Sequence, residues 1–359
     1  MNYRENLIRA MTRRDPEFVP MEYSFTSTLI DKIKNEVHVE NAYDHFKSVH
    51  YHANQGIRNI GAKASAHRND YSRYFAGRSF AHEVTIDEWG IGHQAGDFMH
   101  FTHMESPLIK AASIKDIESY PMPDIGADYR WAHAKSDVDA FHSDGYAVSA
   151  FTGHTFETVW QIRGMEEFLS DMYLNPSWCE ALVARIFSVN IEVVTQAASA
   201  GVDILRVGDD VGTQMGMMFS PEIWRTMFKP RIKAYIAAAK AIKPDILIWY
   251  HSDGDISAII PELIDIGLDI LNPIQPECLS PDMVKREYGS SLSFWGVVGT
   301  QQLMPFGSPS DVKKEIKRLI SVVGKGGGLC LAPTHVLEPE VPTANIKAMV
   351  EAVEEYGRY

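Results

Sequence analysis

His251 and Asp253 follow an apolar run, Ile246 to Tyr250, and are themselves followed by Gly254. Side chains alternate faces along a strand, so the imidazole and the carboxylate share a face if extended geometry reaches Asp253. Gly254 lets the backbone turn sharply there. An imidazole beside a carboxylate is half of a metal or acid–base site. Taken alone, the pair reads equally as a satisfied histidine and a helix-capping aspartate ahead of Asp255 and Ile256. Other chemistry-bearing residues stand at the ends of apolar runs: Glu22, Asp87, His154, Asp209, Asp210, Asn272, Gln275, Gln301 and His335. Each has an ordinary explanation by itself, as a loop cap or a backbone tether. His335 joins His251 and Asp253 as a candidate metal ligand, because catalytic zinc takes three protein ligands and keeps a fourth position open.

The elements that must position these residues alternate. Strands are predicted at Ala147 to Phe151, Asp203 to Val207, Asp245 to Tyr250, Asp269 to Leu271, Leu292 to Trp295 and Gly326 to Leu331, with earlier ones ending at Glu22 and Asp87. Helices lie between them. Asn175 is placed to cap a long one, Pro176 stands at its first position and Gly201 at its stop. Ser220, Ser310 and Thr343 are read as further caps, and Pro230 should break or kink the helix it falls in. Strand then helix, with short connections, implies a parallel sheet. The expected fold is an α/β (β/α)8 TIM barrel, a single domain over residues 1–359 with a helical insertion from Thr26 to about Asp70 over the mouth. No Gly-x-Gly-x-x-Gly run follows a strand, and no phosphate-binding Gly-x-x-x-x-Gly-Lys-Ser/Thr loop occurs. In such a barrel the strands' carboxyl ends carry the site, and all the residues named above gather there.

Composition narrows the partners. A formal net charge of −13 argues against nucleic acid, which needs a concentrated basic face. No run of about 18 apolar residues occurs to span a membrane, and the first residues lack a signal peptide's basic and apolar regions. A cytoplasmic protein acting on a small molecule is expected. Cys179, Cys278 and Cys330 are too few and too scattered for a disulfide framework or a Cys-only zinc site, and Cys179 and Cys330 are read as packing residues. Half of the 14 histidines (His50, His52, His67, His82, His93, His100 and His103) fall in one early segment and read as surface and lid residues.

Taken together, Gly208-Asp209-Asp210-Val211-Gly212, Ser220-Pro221-Glu222, Tyr250-His251-Ser252-Asp253-Gly254, Leu271-Asn272-Pro273-Ile274-Gln275-Pro276 and Ala332-Pro333-Thr334-His335 resemble the uroporphyrinogen decarboxylase superfamily. Asp87-Glu88-Trp89-Gly90 and Glu105-Ser106-Pro107-Leu108 fit as well. True decarboxylases of that superfamily carry Arg-Gln-Ala-Gly-Arg-Tyr after the first strand, whereas this chain has Met21-Glu22-Tyr23-Ser24-Phe25-Thr26. The likeness is therefore closer to the corrinoid-dependent methyltransferases, whose zinc is held by a His-x-Cys pair and a later Cys. Asp253 stands in place of the first cysteine and His335 in place of the second. The resemblance implies a zinc-assisted methyltransferase of the O-demethylase type, using a corrinoid supplied by a partner protein. Harder ligands make the zinc a stronger Lewis acid, suited to polarising an ether oxygen. Asp87 or Glu22 would orient or protonate the leaving oxygen. Tyr23 and Trp89, with Phe25, Trp249 and Trp295, would line an aromatic pocket, and His154, Asp209, Asp210, Asn272, Gln275 and Gln301 would contact substrate. The rivals are a metal-free decarboxylase of a small acid and a non-catalytic module that binds a tetrapyrrole or corrinoid. A homodimer is left open.

Overall fold

The computed structural model describes residues 1–46, 57–95 and 102–359; His50, His52 and His100 lie outside them. Seven parallel strands form the central sheet in sequence order: β1 (Ile57–Ile60), β2 (Ala147–Phe151), β3 (Ile204–Gly208), β4 (Leu247–His251), β5 (Ile270–Asn272), β6 (Ser293–Trp295) and β7 (Leu329–Cys330). Beyond β7, Met21 bridges to Leu331 in parallel, with the Glu22 N–H on the Leu331 carbonyl at 3.1 Å and the Leu331 N–H on the Pro20 carbonyl at 2.8 Å. The first extended segment thus joins the sheet at its far edge.

Alternation along the strands divides the core in two. One face packs under the surrounding helices, among them α-helix Pro176–Ala200. That helix is long and apolar enough to cross a membrane, yet half of its apolar window is buried inside the protein. The other face encloses a small inner cluster that includes Ile204, Leu247, Trp249, Ile270, Trp295 and Cys330. Leu7, Ala10 and Met11 of helix Tyr3–Met11 close this cluster from below. That helix touches β2 as well as β6 and β7, so the sheet curls around it into a half-barrel.

An ion-paired aspartate pins the lower end. Asp203, buried just before β3, accepts from Arg4 Nη2 at 2.8 Å and from the Val148 N–H at 2.9 Å, and sits 2.8 Å from His142 Nε2. It ties the first helix, the helix before β2 and two strands to one carboxylate.

Several expected elements differ. The span from Thr26 to Asp70 is not one helical insertion, because it holds helix Ser27–Val37, a 3-10 turn at Ala42–Phe46 and the core strand β1. This strand is hard to read because two of its four residues are polar. Arg58 lies over the Tyr146 ring, and Asn59 accepts from Ser149 across the strand pair. The strand before Asp87 is also not part of the parallel sheet. Val84–Ile86 pairs antiparallel with Gly92–Ala95, which pairs with Thr102–Glu105, in a separate three-stranded sheet. Asn175 precedes the long helix as expected, but its side chain donates to Asp171 instead of capping. Ser308, not Ser310, caps helix Pro309–Val322, and Pro342 rather than Thr343 stands at the cap of helix Thr343–Tyr356. Pro230 follows a π-turn at Trp224–Phe228, the irregularity that a missing N–H invites.

Replacing Asp203 with Ala leaves Arg4 and the Val148 N–H without their acceptor. The loss expected in urea unfolding is about 3 kcal/mol, the usual cost of breaking a buried pair by removing one partner. A loss below roughly 1 kcal/mol would show that this carboxylate does not anchor the lower end.

Candidate active site

The register of the sheet places Gly208 opposite His251, and His251 opposite Asn272. These three residues end adjacent strands, and the site is built on them. Gly208 has φ of +153°, and a Cβ there would stand 2.4 Å from the His251 carbonyl oxygen. Only glycine lets the two strand ends approach so closely.

Asn272 fixes the His251 ring. Its Nδ2 donates to the Trp295 carbonyl at 2.7 Å, so its Oδ1 faces His251 Nδ1, also at 2.7 Å. An amide oxygen can only accept, so Nδ1 carries the proton and Nε2 is left for the mouth. The ring is further held by parallel stacking on Trp249, two residues back on the same face, with centroids 5.7 Å apart.

His251 Nε2 lies 3.3 Å from Asp210 Oδ1, which also accepts the Asp253 N–H at 2.8 Å. Ligand atoms of Asp210, His251 and Asp253 all fall within 4.8 Å of one another, a spacing that could hold a metal ion. Burial opposes charge on Asp210, but the His251 hydrogen bond and charge outweigh it and bring the carboxyl down to about 2. Burial likewise opposes a charged His251, yet the Asp210 hydrogen bond and charge raise the ring to about 9. Asp253 goes the other way. Burial raises its carboxyl, and Asp210 adds to the rise against relief from His251 and His335.

The remaining predicted residues divide between the mouth and elsewhere. His335 is exposed and lines a cavity of about 390 Å³ with Asp253, Gln275, Thr300, Gln301 and Phe306, outside the compact three-residue set. Gln275 accepts the Gly254 N–H at 3.1 Å, and Gln301 accepts from Gln214 at 2.9 Å. Asp209 is buried, caps the helix Phe156–Arg163 through the Phe156 N–H at 2.7 Å, and is raised by burial to about 7. His154 Nδ1 sits 2.9 Å from the Gly208 carbonyl and 2.7 Å from Glu157 Oε1. Glu22 lies lower, accepting from Arg206 Nη2 at 3.1 Å and from Trp295 Nε1 at 2.7 Å. Tyr23 is buried among Phe25, Tyr43 and Phe46. Asp87 serves its own loop, accepting from the Trp89 and Ile91 N–H groups and contacting His93 at 2.9 Å. It lines a different cavity, of about 490 Å³, with Ser65, His67, Asp70 and Asp124. Trp89 belongs to the same loop and packs partly buried against the outer core.

Two residues at the site carry little sequence signal. Arg206 lies mid-strand, its guanidinium over the rings of Trp249 and Trp295 at 5.0 and 5.2 Å. Its odd position in an apolar strand was the available clue. Glu157 stands in the first turn of a helix and looks like a surface residue; its i,i+3 spacing from His154 was the clue there.

The His251–Asp210 pair makes stability depend on pH in the metal-free protein. His251 is raised in the folded state, so its contribution is complete below about 6.5 and is lost as pH rises through about 9. Asp210 is depressed, so its contribution is present above about 3.9 and is lost as pH falls through about 2. With chelator present, Asp210→Asn should cost about 2 kcal/mol in urea unfolding at near-neutral pH. That difference should shrink as pH passes 9, and a constant difference would refute the pairing.

A family model described as Uroporphyrinogen decarboxylase (URO-D) matches residues 90–356. A uroporphyrinogen decarboxylase of Chlorobium phaeobacteroides is 26% identical over 191 residues, covering 51% of each chain. A methylcobamide:CoM methyltransferase, MtaA, of Methanosarcina barkeri is 25% identical over 179 residues, covering 48% of this chain and 49% of its own. The chain thus spans about half the length of the curated relatives it matches. Among solved structures, a methyltransferase from Methanosarcina mazei superposes over 99% of both chains with a TM-score of 0.66 at 16% identity, a likeness of fold. The family match runs through every strand end that carries Asp210, His251, Asp253 and Asn272, and the chain belongs to the uroporphyrinogen decarboxylase family.

Proposed function

We propose that this protein is a metal-dependent methyltransferase, moving a methyl group from a small methoxylated aromatic donor to the cobalt of a corrinoid on a separate protein. The observation that carries the reading is the compact set of Asp210, His251 and Asp253 at the strands' carboxyl ends, with His251 Nε2 turned toward it by Asn272. One imidazole nitrogen and two carboxylates suit zinc, and a histidine whose second nitrogen is hydrogen-bonded is the usual form of a zinc ligand. We assign the metal to these three residues, with His335 beside Asp253 in the adjoining cavity. We also read the sheet as a closed eight-stranded barrel, with residues 19–22 as its first strand.

The metal, when bound, supplies a Lewis acid for the ether oxygen. Asn272 and Trp249 hold the imidazole in place, so binding costs little reorganisation. Gln275 and Gln301 offer amide groups to the donor from the cavity wall beside Asp253. A methylcobamide:CoM methyltransferase among the relatives, in whose name a corrinoid gives up the methyl group, supports a corrinoid as the partner in methyl transfer. A decarboxylase, which the names of other relatives favour, would use Asp87 to stabilise a cationic intermediate, and Asp87 is held by its own loop against a different cavity.

Zinc must displace the proton that Asp210 holds on His251, so loading at pH 7.5 should release about one proton per metal. Calorimetry in buffers of different ionisation enthalpy measures this. Affinity should rise with pH up to about 9, and His251→Ala should leave less than roughly a tenth of an equivalent bound. The loaded protein should methylate free cob(I)alamin from a methoxyarene, seen as methyl–cobalt absorption. Full metal content in His251→Ala, or no transfer from any ether, would overturn the proposal.

A further inference from the structure

His154 is fixed as firmly as His251, by different partners. Gly153, at φ of +90°, turns the chain after β2 so that His154 faces the end of β3. Its Nδ1 reaches the Gly208 carbonyl at 2.9 Å and Glu157 Oε1 at 2.7 Å, both acceptors, so Nδ1 carries the proton. Glu157 is half-buried and also accepts the Asp210 N–H at 3.4 Å, which ties this dyad to the candidate metal set. The His154 ring lies 6.1 Å from the His251 ring, and the edge of Phe151 packs on it at 4.7 Å. Among the described residues, Nε2 has no hydrogen-bond partner. An imidazole backed by a carboxylate, with its far nitrogen uncommitted beside a reaction centre, is the arrangement of a general acid or base.

We propose that His154, backed by Glu157, is the general acid that protonates the oxygen leaving the methyl group. This rests on the methyl-transfer reading above. The bond between methyl carbon and oxygen breaks with its electron pair staying on oxygen. The methyl carbon bonds to the acceptor, a cobalt(I) corrinoid that supplies the electron pair for the new bond. The oxygen takes the Nε2 proton, the product leaves as a neutral phenol, and His154 regains a proton from solvent.

A general acid matters most when the leaving group is poor, which gives a test. Methyl transfer to cob(I)alamin would be measured with zinc-loaded wild type and His154→Gln, using anisole and a nitro-substituted anisole whose phenoxide leaves without help. His154→Gln should lower kcat about 100-fold for anisole and far less for the nitro compound. Glu157→Gln should show the same donor-dependent loss, smaller in size. Zinc affinity of His154→Gln should match wild type. Equal loss on both donors, or loss of zinc, would overturn the acid and make His154 a positioning residue or a ligand. A wild type inactive on every ether would instead overturn the methyl-transfer reading, and this proposal with it.

Discussion

Gly208, His251 and Asn272 stand side by side on three adjacent parallel strands, and the polar geometry of the site follows from that row. Each member contributes backbone, and His251 and Asn272 contribute side chains as well. The His251 carbonyl accepts the Asp209 N–H at 3.0 Å, and the Asn272 carbonyl accepts the Ser252 N–H at 2.9 Å. The Gly208 carbonyl takes His154. Both histidines at the mouth are therefore oriented by groups that cannot move without unzipping the sheet. A one-residue slip would turn His251 to the helix side and Tyr250 to the mouth, so register and site are a single constraint. The absence of a side chain at Gly208 is part of the same constraint, because any Cβ would push β3 away from β4.

Below this row the enclosed space is filled by an unusual group. Arg206 lies across Trp249 and Trp295, and Glu22 bridges Arg206 to the Trp295 indole. An arginine in such a place is tolerable because its charge is matched by Glu22 and its faces meet two electron-rich rings. The same packing supports His251 from beneath, since Trp249 touches both the guanidinium and the imidazole. The first extended segment thus offers a carboxylate already paired inside the protein.

The strand ends around His251 were legible because β2 to β7 are apolar runs that stop in polar residues, and the parallel alternation follows from that pattern. Strand β1 was not legible, since Arg58 and Asn59 interrupt its apolar pattern and it is only four residues long. Asp87 misled for the opposite reason. Val84–Ile86 has good strand composition, but composition cannot distinguish a central parallel strand from a small antiparallel sheet. At the site, His251 and Asp253 could be paired by strand alternation, whereas Asp210 comes from a neighbouring strand, and only the register shows that it reaches His251. Glu157 and Arg206 share that difficulty. Each acts through a partner distant in sequence or on another element.

On the proposed reading, the charges of the site explain why it accepts a metal. Without one, His251 carries a proton between Asp210 and Asp253, and Asp253 resists ionisation because burial and Asp210 both oppose it. One positive charge is shared between two acids that want more. Exchanging that proton for a divalent cation leaves the imidazole neutral and satisfies both carboxylates, so the three residues and the ion together carry no net charge. A pair of thiolates in this set would have donated more electron density to the ion. The carboxylates of Asp210 and Asp253 donate less, and the ion keeps more of its pull for an oxygen in the open position. The departure of a poor oxygen leaving group is the step that such a pull assists, and it is also where a proton from a neighbouring imidazole counts most.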